Sequence, residues 1–233
     1  AFLLHGYVGF IFGSIKANPW WGNVLMPIIF IFSAMVSGIA LCVCLYMAIN
    51  WGRRVKQDIV CLDMMGRFLF YSLVIDAGLE GLDWVHRLYA SDESIHVLKR
   101  LASGKLFYTL LVGQACLGTL VPLLLLGTAQ LFRRKIAAIG RERIYFVSAV
   151  LIMLGVFAMR WNVVIGGQLF SKSFLGFTSH KMELAGQEGW AMGLGLIILP
   201  FVILTVLLRH FLPRHAVLSE GEPLQPQAPV ARS

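Results

Sequence analysis

Residues 24–49 read VLMPIIFIFSAMVSGIALCVCLYMAI, a long run without a charged side chain. An α-helix needs about 20 mainly apolar residues to cross a bilayer, and this run exceeds that length. Further spans are predicted near 67–90, 105–129, 144–168 and 189–211, while the run at 1–14 is too short to cross. The sequence therefore predicts an all-α polytopic transmembrane helical bundle, with about five full spans and one truncated N-terminal helix.

Composition supports a membrane protein over a soluble one. Of the 233 residues, 58% are hydrophobic and only 14% are charged, which is too apolar for an ordinary soluble domain. We expect the bundle to cover 1–212 and the Pro-rich 213–233 to form a disordered cytoplasmic tail. Because the chain starts at Ala1 within an apolar run, we expect a C-terminal part of a longer chain, although a re-entrant segment or a cleaved signal peptide is also compatible with this start.

Orientation is predicted from the lysines and arginines near the ends of the spans. One side carries eleven of them, namely Arg53, Arg54, Lys56, Arg67, Arg133, Arg134, Lys135, Arg141, Arg143, Arg209 and Arg214. The other side carries six, namely Lys16, Lys99, Arg100, Lys105, Lys172 and Lys181. The side with eleven is predicted to be cytoplasmic, together with the C-terminus. This distribution accounts for the net charge of +8 without a nucleic-acid partner.

The span RFLFYSLVIDAGLEGLDWVHRLYA at 67–90 carries a stripe of charge. At about 100° per residue, Asp76, Glu80, Asp83 and Arg87 fall within about 60° of one another on one helix face. Unpaired charges near the bilayer centre cost at least about 2.5–3.5 kcal/mol each, so this face is predicted to look inward. The stripe is either a set of internal ion pairs or a proton path, and we favour the proton path for Asp76, Glu80 and Asp83.

The segment RWNVVIGGQ at 160–168 places an arginine in the apolar span 144–168. We expect Arg160 to pair with Glu80 or Asp83, taking the 67–90 span as an antiparallel neighbour with its acids at comparable depth. Arg87 and Arg160 would then be the counter-charges of the proton path. With Gln114 and Asn162, these groups predict a polar seam inside the bundle that opens toward the outer side.

The residues argue against a metal centre held by this chain. Its four cysteines form no C-x-x-C pair, which disfavours an iron–sulfur cluster. Haem ligation by His5 needs a second histidine at similar depth, and only His86 lies within another predicted span, close to its end. His5 is therefore either a packing residue or a hydrogen-bond partner for a quinone. Trp20, Trp21 and Trp190 are predicted to mark the outer membrane interface.

The order HGYVGFIFGSIKANPWW, LMPIIFIFSAMVSGIAL, an acidic span and RWNVVIGGQLFSKSF resembles the C-terminal portion of the NrfD/PsrC family. These are membrane subunits of polysulfide-reductase-type complexes, with relatives in sulfite-reduction-associated (DsrP-like) and hydrogenase-linked (HybB-like) complexes. The resemblance covers the chain to about residue 212. It identifies the family better than the substrate, and the N-terminal helices of the family are absent from this sequence.

This resemblance implies a quinone-interacting subunit of a multi-subunit respiratory oxidoreductase in a bacterial or archaeal cytoplasmic membrane. Its ligand would be menaquinone or ubiquinone, with no metal or haem in this chain. A ferredoxin-like iron–sulfur subunit would dock on the outer face, alongside further redox subunits. His5, Gln114 and Asn162 are the expected quinone-binding residues.

Two other function classes use the same residues. A secondary transporter or proton channel would need the same carboxylate stripe, although no convincing internal repeat supports a transporter. A structural anchor would use the buried charges only to hold the helices together.

Overall fold

In the computed structural model, residues 2–16, 18, 20–89, 107–168 and 190–211 are described. Within those ranges the regular elements are all helical, which confirms the predicted all-α class. The helices are α1 (Phe2–Ser14), α2 (Met26–Gly52), α3 (Ile59–Tyr89), α4 (Tyr108–Leu131), α5 (Ala138–Gln168) and α6 (Trp190–Phe211). The predicted tail at 213–233 lies outside the described residues.

Among the described residues, three helices are both long and apolar enough to cross a membrane, namely α2, α4 and α5. Helix α3 has 31 residues, enough length to cross, but its charged stripe lowers its mean hydropathy. Helix α1, with 13 residues, is as short as the sequence predicted. Helix α4 is a π-helix over Tyr108–Leu120 and an α-helix over Val121–Leu131.

Local sequence explains where α2 and α3 begin. Proline stands in the first turn of α2, where its missing N–H is not needed. Before α3, the Asp58 carboxylate accepts hydrogen bonds from the backbone N–H groups of Val60 (2.9 Å) and Cys61 (3.5 Å). This N-cap starts α3 at Ile59, eight residues before the predicted span.

The two ends of the bundle are distinguished by the residues that meet there. At the end that we call the basic end, the starts of α3 and α5 meet the end of α4, through Asp63, Arg141 and Arg133. At the opposite end, which we call the cavity end, the later parts of α3 and α5 meet the start of α4. Helices α3 and α5 therefore run parallel to each other, and α4 runs antiparallel to both.

The core of the bundle is made by α2, α3, α4 and α5. Its fully buried side chains are Val36, Ala40, Val43, Leu62, Leu69, Leu126, Ala129, Tyr145, Ala149 and Ile152. Helices α4 and α5 make their closest approach at Gly118 and Gly155, where the backbones are so near that neither position has room for a Cβ. Small residues allow such close helix contact in membranes. Gly38 on α2, by contrast, has nothing near its Cβ position.

The chain divides into two compact units, residues 1–178 and 179–233. The second unit contains α6, a 22-residue apolar helix with Pro200 in its interior. The candidate site described below lies wholly within the first unit.

Candidate functional site

A cavity of about 50 Å³ lies at the cavity end of the first unit, large enough for a few water molecules. It is lined by three kinds of side chain: two carboxylates, two amides, and a wall of tryptophan and aliphatic groups. These residues are Trp20, Met26, Ile29, Glu80, Asp83, Trp84, Leu110, Gln114, Met159, Asn162 and Val163. The cavity thus combines a mostly apolar wall with a few convergent polar groups, which is typical of small-molecule sites.

The two amides and Glu80 form a chain of hydrogen bonds with a fixed direction. The Asn162 Nδ2 group donates to Gln114 Oε1 at 3.0 Å. Because a carboxylate can only accept, Gln114 donates its amide N–H in its hydrogen bond with Glu80. Asn162 is 1% exposed, and its Oδ1 has no hydrogen-bond partner among the described residues. The site therefore presents two acceptors to a ligand, the Glu80 carboxylate and the Asn162 Oδ1 atom.

The connection between α1 and α2 forms one wall of the cavity through Trp20 and is hydrogen-bonded to the end of α5. Its Trp20 indole N–H donates to the Asn162 carbonyl at 3.1 Å, and the Trp21 indole N–H donates to the Val163 carbonyl at 2.6 Å. The Asn18 amide adds a bond to the Gly167 carbonyl at 3.0 Å. Trp20 is buried, so its indole packs inside the protein at the cavity end, while its role as a marker of the outer membrane interface stays a prediction. Its indole fixes the end of α5 and forms part of the cavity wall.

Arg160 lies next to the cavity-lining Met159 on α5, but its own side chain does not line the cavity. Its Nη2 approaches the Ser33 hydroxyl at 3.4 Å, and its guanidinium carbon is 5.1 Å from the centre of the Phe30 ring. The acid that acts on it electrostatically is Asp76. From the sequence, Glu80 or Asp83 was expected as the acid that acts on Arg160, and the structure places Asp76 there instead.

The direction of α3 explains this difference. The expected pairing takes α3 as antiparallel to α5, whereas the two helices run parallel. Asp63 on α3 bonds Tyr145 on α5, an offset of 82 residues, and the same offset sets Asn162 level with Glu80. A helical side chain leans toward the N-terminus of its helix, so Arg160 reaches back toward the level of Asp76.

The remaining predicted site residues divide between the cavity and other places. Asp83 lines the cavity beside Glu80, and Asp76 is 5% exposed, with its Oδ1 lacking a hydrogen-bond partner among the described residues. Arg87 lies in α3, but its side chain is outside the described residues. His5 is half-buried on α1, nine residues before the end of that helix, and it does not line the cavity. The structure thus brings Gln114 and Asn162 together, without His5.

A second polar cluster lies at the basic end, and the sequence-based predictions do not include it. Asp63 is 3% exposed and accepts hydrogen bonds from Arg133 Nε (2.9 Å), Arg141 Nη1 and the Tyr145 hydroxyl (2.8 Å). Gly66, one turn later on α3, leaves room for the Tyr145 ring, since a Cβ there would lie 2.5 Å from a ring carbon. The sequence signal for this cluster was Asp63 itself, a single acid within the apolar segment VCLDMMG, at the end of the bundle that carries most of the arginines.

In the part of the chain that the structure describes, no group of three or more His, Cys, Asp or Glu side chains could hold a metal ion. The cysteines Cys42, Cys44, Cys61 and Cys116 are all free thiols. At the cavity, Glu80, Asp83 and the two amides supply acid–base chemistry and hydrogen bonding.

Comparison with known proteins gives a family match over residues 1–172, to the family described as polysulphide reductase, NrfD. A selenate reductase subunit of Mesobacillus selenatarsenatis is 28% identical over 166 residues, which are 70% of this chain and 36% of that protein. An NrfD homolog of Haemophilus influenzae is 26% identical over 169 residues, 72% of this chain and 50% of that protein. The chain spans about a third to a half of the length of these curated relatives.

Proposed function

The chain belongs to the NrfD family of polysulphide reductase, and from that premise we propose that it is the quinone-interacting membrane subunit of a respiratory reductase complex. One relative is named as a subunit of selenate reductase, which supports a place in a multi-subunit redox complex. The proposal includes five membrane spans, a cytoplasmic C-terminus and residence in the bacterial or archaeal cytoplasmic membrane. An iron–sulfur subunit docked at the cavity end would exchange electrons with the quinone.

The observation that carries this proposal is the cavity in which Glu80, Gln114 and Asn162 meet. Its volume of about 50 Å³ fits one oxygen-bearing edge of a quinone ring rather than a whole headgroup. Indole and aliphatic walls suit the flat, apolar remainder of such a ring. The quinone site is therefore proposed at Glu80, Gln114, Asn162 and Trp20, in place of the sequence-based set that included His5.

The hydrogen-bonding direction of the site favours the reduced ligand. Quinone oxygens only accept hydrogen bonds, whereas a quinol hydroxyl donates one. Gln114 donates one amide N–H to Glu80, and Trp20 donates its indole N–H to the Asn162 carbonyl. The Asn162 Oδ1 atom has no hydrogen-bond partner among the described groups and can accept from a ligand. An unpaired buried acceptor costs about 1–3 kcal/mol, and a donating hydroxyl removes that cost. The site is accordingly proposed to oxidise quinol.

Oxidation of a quinol releases two electrons and two protons, and the protein must take up the protons. Glu80 is placed to accept the first, because it lines the cavity beside the hydroxyl position. Asp83, one turn nearer the cavity end, would pass it outward. Asp76, one turn deeper on α3 and near Arg160, completes the proposed path.

The test uses Glu80→Gln in the full complex, purified with its partner subunits and assayed with a short-chain quinol as electron donor. Loss of a positioned base slows turnover by about 10²-fold or more, so that decrease is expected with normal assembly. Glu142→Gln is the matched control, because it removes a carboxylate at the opposite end of α5. Normal quinol turnover in Glu80→Gln would contradict the relay, and a complex without any quinol-dependent activity would contradict the redox function itself.

The same variant separates the other function classes. A structural anchor predicts that Glu80→Gln lowers the yield of assembled complex more than its turnover per complex. A proton channel predicts loss of proton flux in vesicles without a change in quinol oxidation. The family match and the named relatives favour the redox subunit over both.

A further inference from the structure

The cluster of Asp63, Arg133, Arg141 and Tyr145, which we call the Asp63 cluster, leaves positive charge uncompensated at the basic end. Asp63 is a single carboxylate that binds two guanidinium groups, those of Arg133 and Arg141. The residues around the turn between α4 and α5 add further cations. Counting Arg133, Arg134, Lys135, Arg141 and Arg143 against Asp63 and Glu142, five cations face two acids, an excess of three.

Arg133 is held in place and still accessible. Its Nε and Nη2 atoms lie 2.9 and 2.7 Å from the Asp63 Oδ2 atom, yet its side chain is 40% exposed. A guanidinium has five N–H donors, so one edge bound to Asp63 leaves others for an oxyanion. Because Asp63 already fixes its position, little side-chain entropy is lost when a ligand binds.

Apolar surface lies directly beside these cations. Leu131 is 79% exposed, Phe132 43% and Ile139 65%, and they flank the turn on both helices. A free phosphate ion would use only the cations. A ligand that carries a phosphate next to acyl chains would use both surfaces, and bilayers supply such ligands at the ends of membrane helices.

We propose that the turn between α4 and α5, residues 132–143, binds the headgroup of an anionic phospholipid. The phosphate would lie against Arg133, Arg134 and Lys135, with the acyl chains along Leu131 and Ile139. A lipid with a net negative charge balances the excess cations, whereas a zwitterionic lipid does not. This site is independent of the proposed redox function, because it lies at the end of the bundle opposite the cavity.

The experiment measures bound lipid on the full complex by native mass spectrometry, after reconstitution in nanodiscs of phosphatidylglycerol and phosphatidylcholine. The variant R134Q/K135Q removes two exposed charges and leaves the Asp63 cluster intact. The control R53Q/K56Q removes two exposed charges from the other turn at the same end. None of these four side chains makes a hydrogen bond or ion pair in the part of the chain that the structure describes, so all variants are expected to fold.

Retained phosphatidylglycerol is expected to fall about tenfold in R134Q/K135Q, with the control equal to the parent and phosphatidylcholine unchanged. Equal loss in both variants would mean general attraction to the membrane surface and would overturn a specific site. Unchanged retention in R134Q/K135Q would overturn it as well. Displacement of the lipid by inorganic phosphate would show a phosphate site instead of a lipid site.

Discussion

Replacing Asp63 with asparagine removes the one negative charge in the cluster at the basic end. The amide keeps an oxygen that can accept from the Tyr145 hydroxyl, which bonds the Asp63 Oδ1 atom at 2.8 Å. It no longer balances Arg133 or Arg141, which both bind the Oδ2 atom. The substitution therefore isolates the contribution of charge from that of the tyrosine hydrogen bond.

The expected cost follows from how deeply each arginine is buried. The Arg141 side chain is 13% exposed, so it loses its counter-charge inside the protein, which costs about 3–5 kcal/mol. The Arg133 side chain is 40% exposed and can turn into solvent, so its pair contributes at most about 1 kcal/mol. With partial relaxation of Arg141, we expect a loss of about 3 kcal/mol, or about 6–12 °C in the midpoint of thermal unfolding for a protein of this size.

The assay is thermal unfolding of the purified complex in a fixed detergent, followed by intrinsic fluorescence. Asp58→Asn is the control, since it makes the same chemical change five residues earlier at an exposed N-cap, where asparagine caps as well as aspartate. Its midpoint should match the parent. If Asp63→Asn and Asp58→Asn differ by less than about 2 °C, the buried charge pair does not stabilise the bundle as argued.

Two further substitutions test close contacts made at glycine positions, one with a neighbouring backbone and one with an indole ring. In Gly118→Ala the new methyl group overlaps the Gly155 backbone, so α4 and α5 must separate at a cost of about 1–3 kcal/mol, measured by the same unfolding assay. Gly38→Ala, where nothing lies near the new methyl group, should be neutral or slightly stabilising, and equal effects of the two would contradict the contact. In Gly167→Ala the methyl group overlaps the Trp21 indole, so the connection between α1 and α2 loosens and trypsin should cleave after the exposed Lys16 faster than in the parent. Unchanged cleavage there would show that the connection does not depend on this packing.

The apolar runs in the sequence predicted that these helices exist, but they did not predict the residues at which α3 and α5 begin. Helices α3 and α5 begin at Ile59 and Ala138, several residues before the predicted 67 and 144. The added turns contain Asp63 and Arg141, which hydropathy assigns to loops because charges interrupt the run. The cap at Asp58 and the ion pairs with Asp63 stabilise these polar turns as helix, and both depend on contacts that a hydropathy count does not include.

The polar seam was predictable as a set of residues but not as a geometry. Helical periodicity put Asp76, Glu80 and Asp83 on one face of α3, and two of them line the cavity. Periodicity within one helix carries no information on the register between helices. The acid predicted to face Arg160 was therefore Glu80 or Asp83, whereas Asp76 acts on it in the structure. Nor does an interfacial preference for tryptophan reveal that Trp20 turns inward to bond the Asn162 carbonyl.

The register between α3 and α5 links the two polar clusters. Asp63 and Glu80 are 17 residues apart, or about 26 Å along α3, so neither side chain contacts the other. Yet the bond from Tyr145 to Asp63 fixes how far α5 is shifted along α3, and that shift sets Asn162 level with Glu80. A slip of one residue would rotate the facing surface by about 100° and carry Asn162 away from Gln114. The Asp63 cluster therefore does more than stabilise the basic end, because the direction of the amide chain at the cavity depends on the alignment that it holds.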